Sequence, residues 1–326
     1  MSCSVLMVTS FGISDMKLYL SIRKSLMGLS KNDILQLLSL VPDLKQIIAQ
    51  DPHQSSMGYH YLSDGITNEN YRITLAGKDY VLRINNPDSG RLALDREAEN
   101  SVMQRVSCLH MASETLFYSP EHNFRVNRWK KGVTWTKKSF HLTDNLKRLA
   151  ARLKQLHCLP YNNLPVMDLI KRLDHYREMI QQRHGKLPPV ELKLLSVAVE
   201  LVGNIKHSLD NCLCHNDLTA ANILASNEQT NHLISFLDWE YAAVNDPLFE
   251  LAVVCKGNEL SEQNQQYLLK AYLGEERLEQ YKNTFVTWCW FYQYISLLWE
   301  QVILPANRPL SSELECRFQL LLELTP

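Results

Sequence analysis

Cys212-Leu213-Cys214-His215-Asn216-Asp217-Leu218-Thr219-Ala220-Ala221-Asn222-Ile223-Leu224-Ala225, followed by Leu233-Ile234-Ser235-Phe236-Leu237-Asp238-Trp239-Glu240, is the stretch on which the fold turns. Cys212 to Cys214 is a short apolar run entering a polar loop, Ile223 to Ala225 leaves that loop, and Leu233 to Leu237 is a third run that ends on an acid. Short apolar runs bounded by polar residues are expected to be buried strands. Asp217, Asn222 and Asp238 then stand in one loop and at one strand end, on backbone with little freedom to move.

The order His-x-Asp-Leu-x-x-x-Asn, with a further Asp after a strand, is the order of groups that phosphoryl transfer uses. An attacking alcohol gains from a carboxylate that orients its hydroxyl and accepts the proton, and Asp217 is the candidate. Asn222 and Asp238 offer hard oxygen atoms to Mg²⁺, a cation that keeps several waters and binds few protein ligands. His215 is placed to brace the loop by hydrogen bonds rather than to take part in the chemistry. Glu240 could reach a metal or a water bound to one.

Upstream, Met57 to Leu62 and Tyr71 to Leu75 read as strands joined by the polar turn Gly65-Ile66-Thr67-Asn68-Glu69-Asn70, and a third strand, Tyr80 to Ile84, follows Ala76-Gly77-Lys78-Asp79. Alternation places Tyr80, Leu82 and Ile84 on one face and Val81 with Arg83 on the other. A cation on a mostly apolar strand calls for an anionic partner, because an unpaired buried charge is costly. The spacing of Leu94, Ala98, Val102 and Val106 predicts a helix from Arg91 to about Val106 carrying two candidates, Glu97 and Glu99. Glu99 lies nearer the apolar stripe and is preferred. An edge-strand arginine whose stem covers apolar surface is the alternative for Arg83.

These segments resemble the choline kinase, thiamine kinase and aminoglycoside phosphotransferase superfamily. The likeness runs over roughly residues 55 to 255 and is carried by Gly65 to Tyr71, Tyr80 to Arg83, Asp95-Arg96-Glu97-Ala98-Glu99, the His215 loop, and Leu237 to Ala242 running into Asn245-Asp246-Pro247-Leu248-Phe249-Glu250-Leu251-Ala252. Asp238-Trp239-Glu240, where protein kinases have Asp-Phe-Gly, is its most specific part. The resemblance implies an α+β, bilobal, protein-kinase-like fold with a β-rich N-lobe over residues 51–129 and a mainly helical C-lobe over 130–326, preceded by an extension and helix in 1–50. It also implies ATP and Mg²⁺ as cofactors and a small, cationic alcohol as acceptor. Asp217 would be the catalytic base, and Asn222 with Asp238 the Mg²⁺ ligands. Arg83 would stand for the kinase phosphate-binding lysine, paired with Glu99, while Thr67 and Asn68 would cover the nucleotide phosphates. Adenine would lie against Phe124 to Trp129, with Lys130-Lys131-Gly132 as the hinge.

Substrate choice falls to the C-terminal part. Trp288, Trp290, Phe291, Tyr292, Tyr294 and Trp299 crowd one segment, and the spacing of four and seven puts Trp288, Tyr292 and Trp299 on one helix face. Aromatic faces attract quaternary ammonium groups, although helical aromatics also serve simply as core. Choline kinases typically carry Trp-x-x-Trp here, whereas this chain has Ile295-Ser296-Leu297-Leu298-Trp299, which weakens choline and leaves thiamine, ethanolamine or another amino alcohol open. An aminoglycoside-type phosphotransferase and a non-catalytic kinase-like module are the competing classes. Asp246-Pro247 predicts the start of a helix, with Asp246 as its cap.

Composition agrees. The chain has 326 residues with a formal net charge of −1 and a pI near 6.8, which lacks the basic footprint of a nucleic-acid binder. Eight cysteines without a Cys-x-x-Cys pair are expected to be free, largely buried thiols in the reducing cytoplasm. No apolar run approaches the length of a membrane span. Met1 to Ile13 lacks the marks of a signal peptide, and Met16 or Met27 is an alternative start. A helix is expected from Ser30 to Leu40, ended or restarted by Pro42. Further helices are expected over Thr143 to Leu156 and between Val166 and Ser208, broken at Pro188-Pro189. Oligomeric state is not legible.

Overall fold

A computed structural model of the chain describes residues 29–50, 57–64, 68–86, 92–119, 121, 123–206, 208–226, 233–304, 310 and 313–326. Thr67, Gly65, Cys3 and the alternative starts lie outside them. Five antiparallel strands form one sheet: β1 (Gly58–Asp64), β2 (Asn68–Leu75), β3 (Lys78–Asn85), β4 (Thr115–Tyr118) and β5 (Phe124–Arg128), in the order β1-β2-β3-β5-β4. Arg83 is therefore on the central strand, not an edge, and it is 3% exposed.

Two helices at the N-terminal end, α1 (Lys31–Ser39) and α2 (Pro42–Gln50), cover the sheet. Ser30 caps α1 through a reciprocal box with Asp33, and Pro42 opens α2. Ile34, Leu38 and Leu44 share one buried cluster with Ile73, Leu82 and Val126, so residues 29–50, the described part of the segment expected as an extension, belong to the sheet's own core. α3 (Arg96–Ser107) begins five residues later than Arg91 because Asp95 is its N-cap, accepting from the Ala98 amide. Its apolar residues Val102, Met103 and Val106 belong to the core of the helical lobe, which fixes α3 between the two halves.

Gly132 lies where the chain passes from sheet to helical lobe. A Cβ there would fall 2.5 Å from the Ala225 carbonyl, so only glycine fits the crossing. Beyond the two-residue β6 (Val133–Thr134) come α4 (Thr143–His157), α5 (Leu169–His184) and α6 (Pro189–Gly203). The expected break near Pro188-Pro189 takes the form of a Gly185 cap with φ +83° and a proline at the start of α6.

Four short strands then hold the catalytic stretch: β7 (Cys212–Cys214), β8 (Ile223–Ala225), β9 (Ile234–Phe236) and β10 (Ala243–Asn245). β7 pairs with β10, and β8 lies between β6 and β9. The chain ends in α7 (Pro247–Gly257), α8 (Glu262–Leu273), α9 (Leu278–Ile303) and α10 (Leu314–Glu323). The result is bilobal, a sheet with covering helices joined to a mainly helical half.

Seven free cysteines are described; Cys212, Cys214, Cys255 and Cys289 are buried, but Cys108, Cys158 and Cys316 are exposed, against the expectation for most. Among the described residues no helix is long and apolar enough to cross a membrane.

Leu38, fully buried between α1 and the sheet, tests whether these helices belong to the fold. Leu38→Ala is expected to destabilise the protein by about 3 kcal/mol, within the range for large-to-small core changes. Urea unfolding with a loss below about 1 kcal/mol would show the N-terminal helices to be dispensable.

Candidate active site

Three guanidinium groups and three carboxylates meet where the lobes face each other. Arg83 on β3 and Arg125 on β5 are directly opposed across the ladder, an arrangement that would repel. Glu99 of α3 lies between them, with Oε1 2.8 Å from each Nη1. Its Oε2 accepts from Arg96 at 2.9 Å. Burial alone would raise the Glu99 pKa, but Arg125, Arg83 and Arg96 hold it down at about 2. Of the two acids on α3, Glu99 and not Glu97 is the partner of Arg83.

The other lobe completes the network. Arg83 reaches Asp238 Oδ1 at 3.0 Å and Glu240 Oε2 at 2.9 Å, and Arg96 reaches Glu240 at 3.1 Å. Arg83 Nε donates to Asn85 at 3.0 Å. With Nη1 on Glu99 and Asp238 and Nη2 on Glu99 and Glu240, all five of its N–H groups have protein acceptors. Asn68 is 4% exposed; its amide donates to Glu240 at 2.8 Å and accepts from Arg96 at 3.0 Å. The Asn68 side chain, expected over the phosphates, is thus built into the ion network. Glu240, considered for a metal, uses Oε2 on Asn68, Arg83 and Arg96.

The catalytic loop is held from behind. His215 is fully buried, its Nε2–H donates to the Leu237 carbonyl at 2.8 Å, and Nδ1 accepts from the Asp217 amide at 3.3 Å. Burial lowers its pKa, which suits that neutral tautomer. His215 is thus a positioning residue of the loop. Asn216 takes φ +64° and Asp238 φ +58°, left-handed backbone that Asn and Asp tolerate better than most residues.

Glu250 was not singled out from the sequence. Its Oε1 accepts the amides of His215 at 2.6 Å and Asn216 at 2.9 Å. Asn258 accepts the Ala220 amide at 2.6 Å and donates to the Leu218 carbonyl at 2.9 Å. The signal for Glu250 was available, since an acid inside the apolar helix Leu248 to Cys255 needs a partner. Asp246 caps α7 through the Leu248 amide at 2.8 Å.

Asp217 accepts from Asn222 Nδ2 at 2.9 Å. Burial first, then the nearby charges of Asp238 and Glu240, push its pKa well above the carboxylate range. The same amide contact leaves Asn222 Oδ1 for a cation. Asp238 has one oxygen on Arg83 and a side chain 37% exposed, leaving its other oxygen accessible. Asp238 borders an open space, and it and Asn222 are hard oxygen donors of the kind that would hold Mg²⁺, which takes the rest of its shell from water and phosphate.

That space is a cavity of about 430 Å³ lined by Asp217, Asp238 and Glu240 on one side and by Tyr176, Tyr241, Phe249, Tyr292 and Trp299 on the other. Trp299 Nε1 donates to the Tyr241 hydroxyl at 3.0 Å. A Cβ on Gly257 would come within 2.8 Å of the Tyr292 hydroxyl, so glycine makes room for that ring. Trp288 is placed differently from the expectation. It lies behind the wall, 6% exposed, donating to Asp246 at 2.9 Å and meeting Phe249 edge-on at 5.7 Å. Arg172 also lines the cavity, with its guanidinium 5.4 Å from the Tyr241 ring centre; nothing in the local sequence marked it.

Known proteins resemble the chain at two levels. LicA of Haemophilus influenzae is 24% identical over 228 residues, a match spanning 68% of this chain and 65% of that protein's length. The crystal structure of choline kinase LicA from Streptococcus pneumoniae superposes with a TM-score of 0.69 at 18% identity, over 86% of this chain and 98% of that one. An aminoglycoside phosphotransferase, crystallised with ADP, superposes with a TM-score of 0.58 at 17% identity, over 86% and 97%. These likenesses are of fold, a protein-kinase-like one. The model of the phosphotransferase enzyme family matches residues 59–281, and with that share of its length matched the chain belongs to this family.

Proposed function

We propose that the chain transfers the γ-phosphoryl group of ATP, with Mg²⁺, to the hydroxyl of a small cationic alcohol of the choline or ethanolamine kind. The observation that carries this reading is the position of Asp217, which shares one cavity with Asp238 and with a wall of aromatic rings. A half-buried carboxylate of raised basicity at the cavity wall is suited to accept the proton of an attacking hydroxyl. Asn222 fixes its orientation through the 2.9 Å hydrogen bond. Mg²⁺, held by Asn222 and Asp238, would offset the charge of the transferring phosphates.

Arg83 is the proposed phosphate contact. Since each of its N–H groups already has an acceptor, it reaches phosphate only by exchanging one. Asp238, with 37% of its side chain exposed against 1% for Glu99 and 4% for Glu240, is the partner that can be released at least cost. Tyr292, Trp299, Tyr241 and Tyr176 offer faces and edges to an ammonium group, and the carboxylates opposite add attraction. A cavity near 430 Å³ suits a small acceptor. The LicA relatives, one of them a choline kinase by name, favour choline and ethanolamine over thiamine and over an aminoglycoside. Free thiols are consistent with a cytoplasmic enzyme.

Coupled measurement of ADP release across choline, ethanolamine, thiamine and an aminoglycoside panel is expected to give Mg²⁺-dependent turnover with one of the first two. Turnover with none of the four would end this proposal. With the active acceptor, Asp217→Asn is expected to lower kcat by about 10²–10⁴-fold, the range for a general base, with ATP affinity nearly unchanged; a kcat within threefold of the parent would remove Asp217 from the chemistry. Tyr292→Leu should reduce kcat/KM for choline by about 3–30-fold, corresponding to one cation–π contact. The same change should leave the neutral tert-butyl isostere of choline unaffected, and an equal loss for both would mean that the ring only packs.

A further inference from the structure

A second cluster of metal-binding side chains lies behind the catalytic loop, on the strand that feeds it. Alternation along β7 puts Cys212 and Cys214 on one face, and their Sγ atoms are 3.6 Å apart. His157, the last residue of α4, brings Nε2 to 3.9 Å from Cys214 Sγ. The three donor atoms all lie within 4.8 Å of one another. Glu250, with Oε1 on the loop amides, has Oε2 2.5 Å from His157 Nε2. Zn–S bonds of about 2.3 Å and Zn–N bonds of about 2.0 Å in a tetrahedron place neighbouring ligand atoms roughly 3.3–3.8 Å apart; the sulfur–sulfur separation of 3.6 Å and the Cys214 sulfur–nitrogen separation of 3.9 Å are close to that, while Glu250 Oε2 at 2.5 Å from Nε2 is a hydrogen-bond partner of the ring and not a ligand.

We propose that His157, Cys212 and Cys214 form a buried Zn²⁺ site, with water as the fourth ligand and Glu250 beside it as the hydrogen-bond partner of His157. Two thiols and an imidazole are the donors that zinc prefers to Mg²⁺. Binding displaces to solvent a proton from each thiol and the proton that His157 Nε2 donates to Glu250 Oε2. His157 Nδ1 lies 2.6 Å from the Tyr272 hydroxyl. A hydroxyl either donates or accepts, so the ring can carry its proton on Nδ1 and present the Nε2 lone pair to the metal, the arrangement that such an outer partner normally fixes. Buried behind the loop and away from the acceptor cavity, the site is structural. Its reach is nonetheless functional, because Glu250, which touches His157 through one oxygen, holds the His215 and Asn216 amides through the other. None of the three ligands lines the acceptor cavity, so the site stands whether or not the acceptor is the one proposed.

The test uses the full chain without a metal-binding tag, produced with added Zn²⁺ and dialysed into metal-free buffer. Atomic emission is expected to find about one zinc per chain, the stoichiometry of a single structural site. After chelation, added Co²⁺ should give the near-ultraviolet thiolate-to-cobalt band and visible bands of a tetrahedral site. The double variant Cys212→Ser/Cys214→Ser should lose retained zinc and the band, whereas Cys108→Ser, at an exposed thiol, should keep both. Absence of retained zinc together with no thiolate band in the unaltered protein would overturn the proposal, as would a band that persists in the double variant. The spectrum of the unaltered protein decides the matter even if the double variant does not fold.

Discussion

A balanced set of charges, most of them buried, ties the sheet to the helical lobe and sets the geometry on which the rest of the site depends. Arg83, Arg96 and Arg125 face Glu99, Glu240 and Asp238 at 2.8 to 3.1 Å. Such a network gives little net stability compared with an apolar core of the same volume. What it fixes is position, since each arrangement other than this one would leave buried charges out of balance. Residues more than 150 positions apart, Arg83 with Asp238 and Glu240, are thereby held in one geometry.

A second constraint works on the catalytic loop. Its strands are only three residues long, too short to fix a loop by ladder bonds alone. Side chains from α7 and the turn after it do so instead, with Glu250 on two amides and Asn258 on one amide and one carbonyl. Asp217 is rigid because its neighbours' backbone groups are held by buried acceptors, and because Asn222 holds the carboxylate itself. The left-handed turns at Asn216 and Asp238 survive in that setting because the surrounding bonds over-determine them.

The aromatic helix divides its rings between two roles. Trp288, Trp290, Phe291 and Tyr294 are buried and make core, while Tyr292 and Trp299 line the cavity. Heptad and four-residue spacing put Trp288, Tyr292 and Trp299 on one face, but α9 is 26 residues long and one face meets different neighbours along its length. At Trp288 that neighbour is Phe249 with Asp246, and at Trp299 it is Tyr241.

The sequence by itself determined the strand–loop–strand setting of Asp217, Asn222 and Asp238 and the need of Arg83 for an acid on the following helix, with Glu99 preferred to Glu97, while the bilobal class rested on the resemblance of its motifs to a known superfamily. The first two follow from local periodicity or from the cost of an unpaired charge on an apolar element, and both are readable along one stretch of chain. Boundaries that depend on capping were less legible, as at α3, where Asp95 moved the start from Arg91 to Arg96. Only the tertiary structure decided that Arg96 and Arg125 join the network, that Asn68 is built into it, that Glu250 supports the loop, and that Arg172 rather than Trp288 reaches the cavity. These are contacts between elements far apart in sequence, and no residue's own neighbours carry the distance or the direction that brings such groups together.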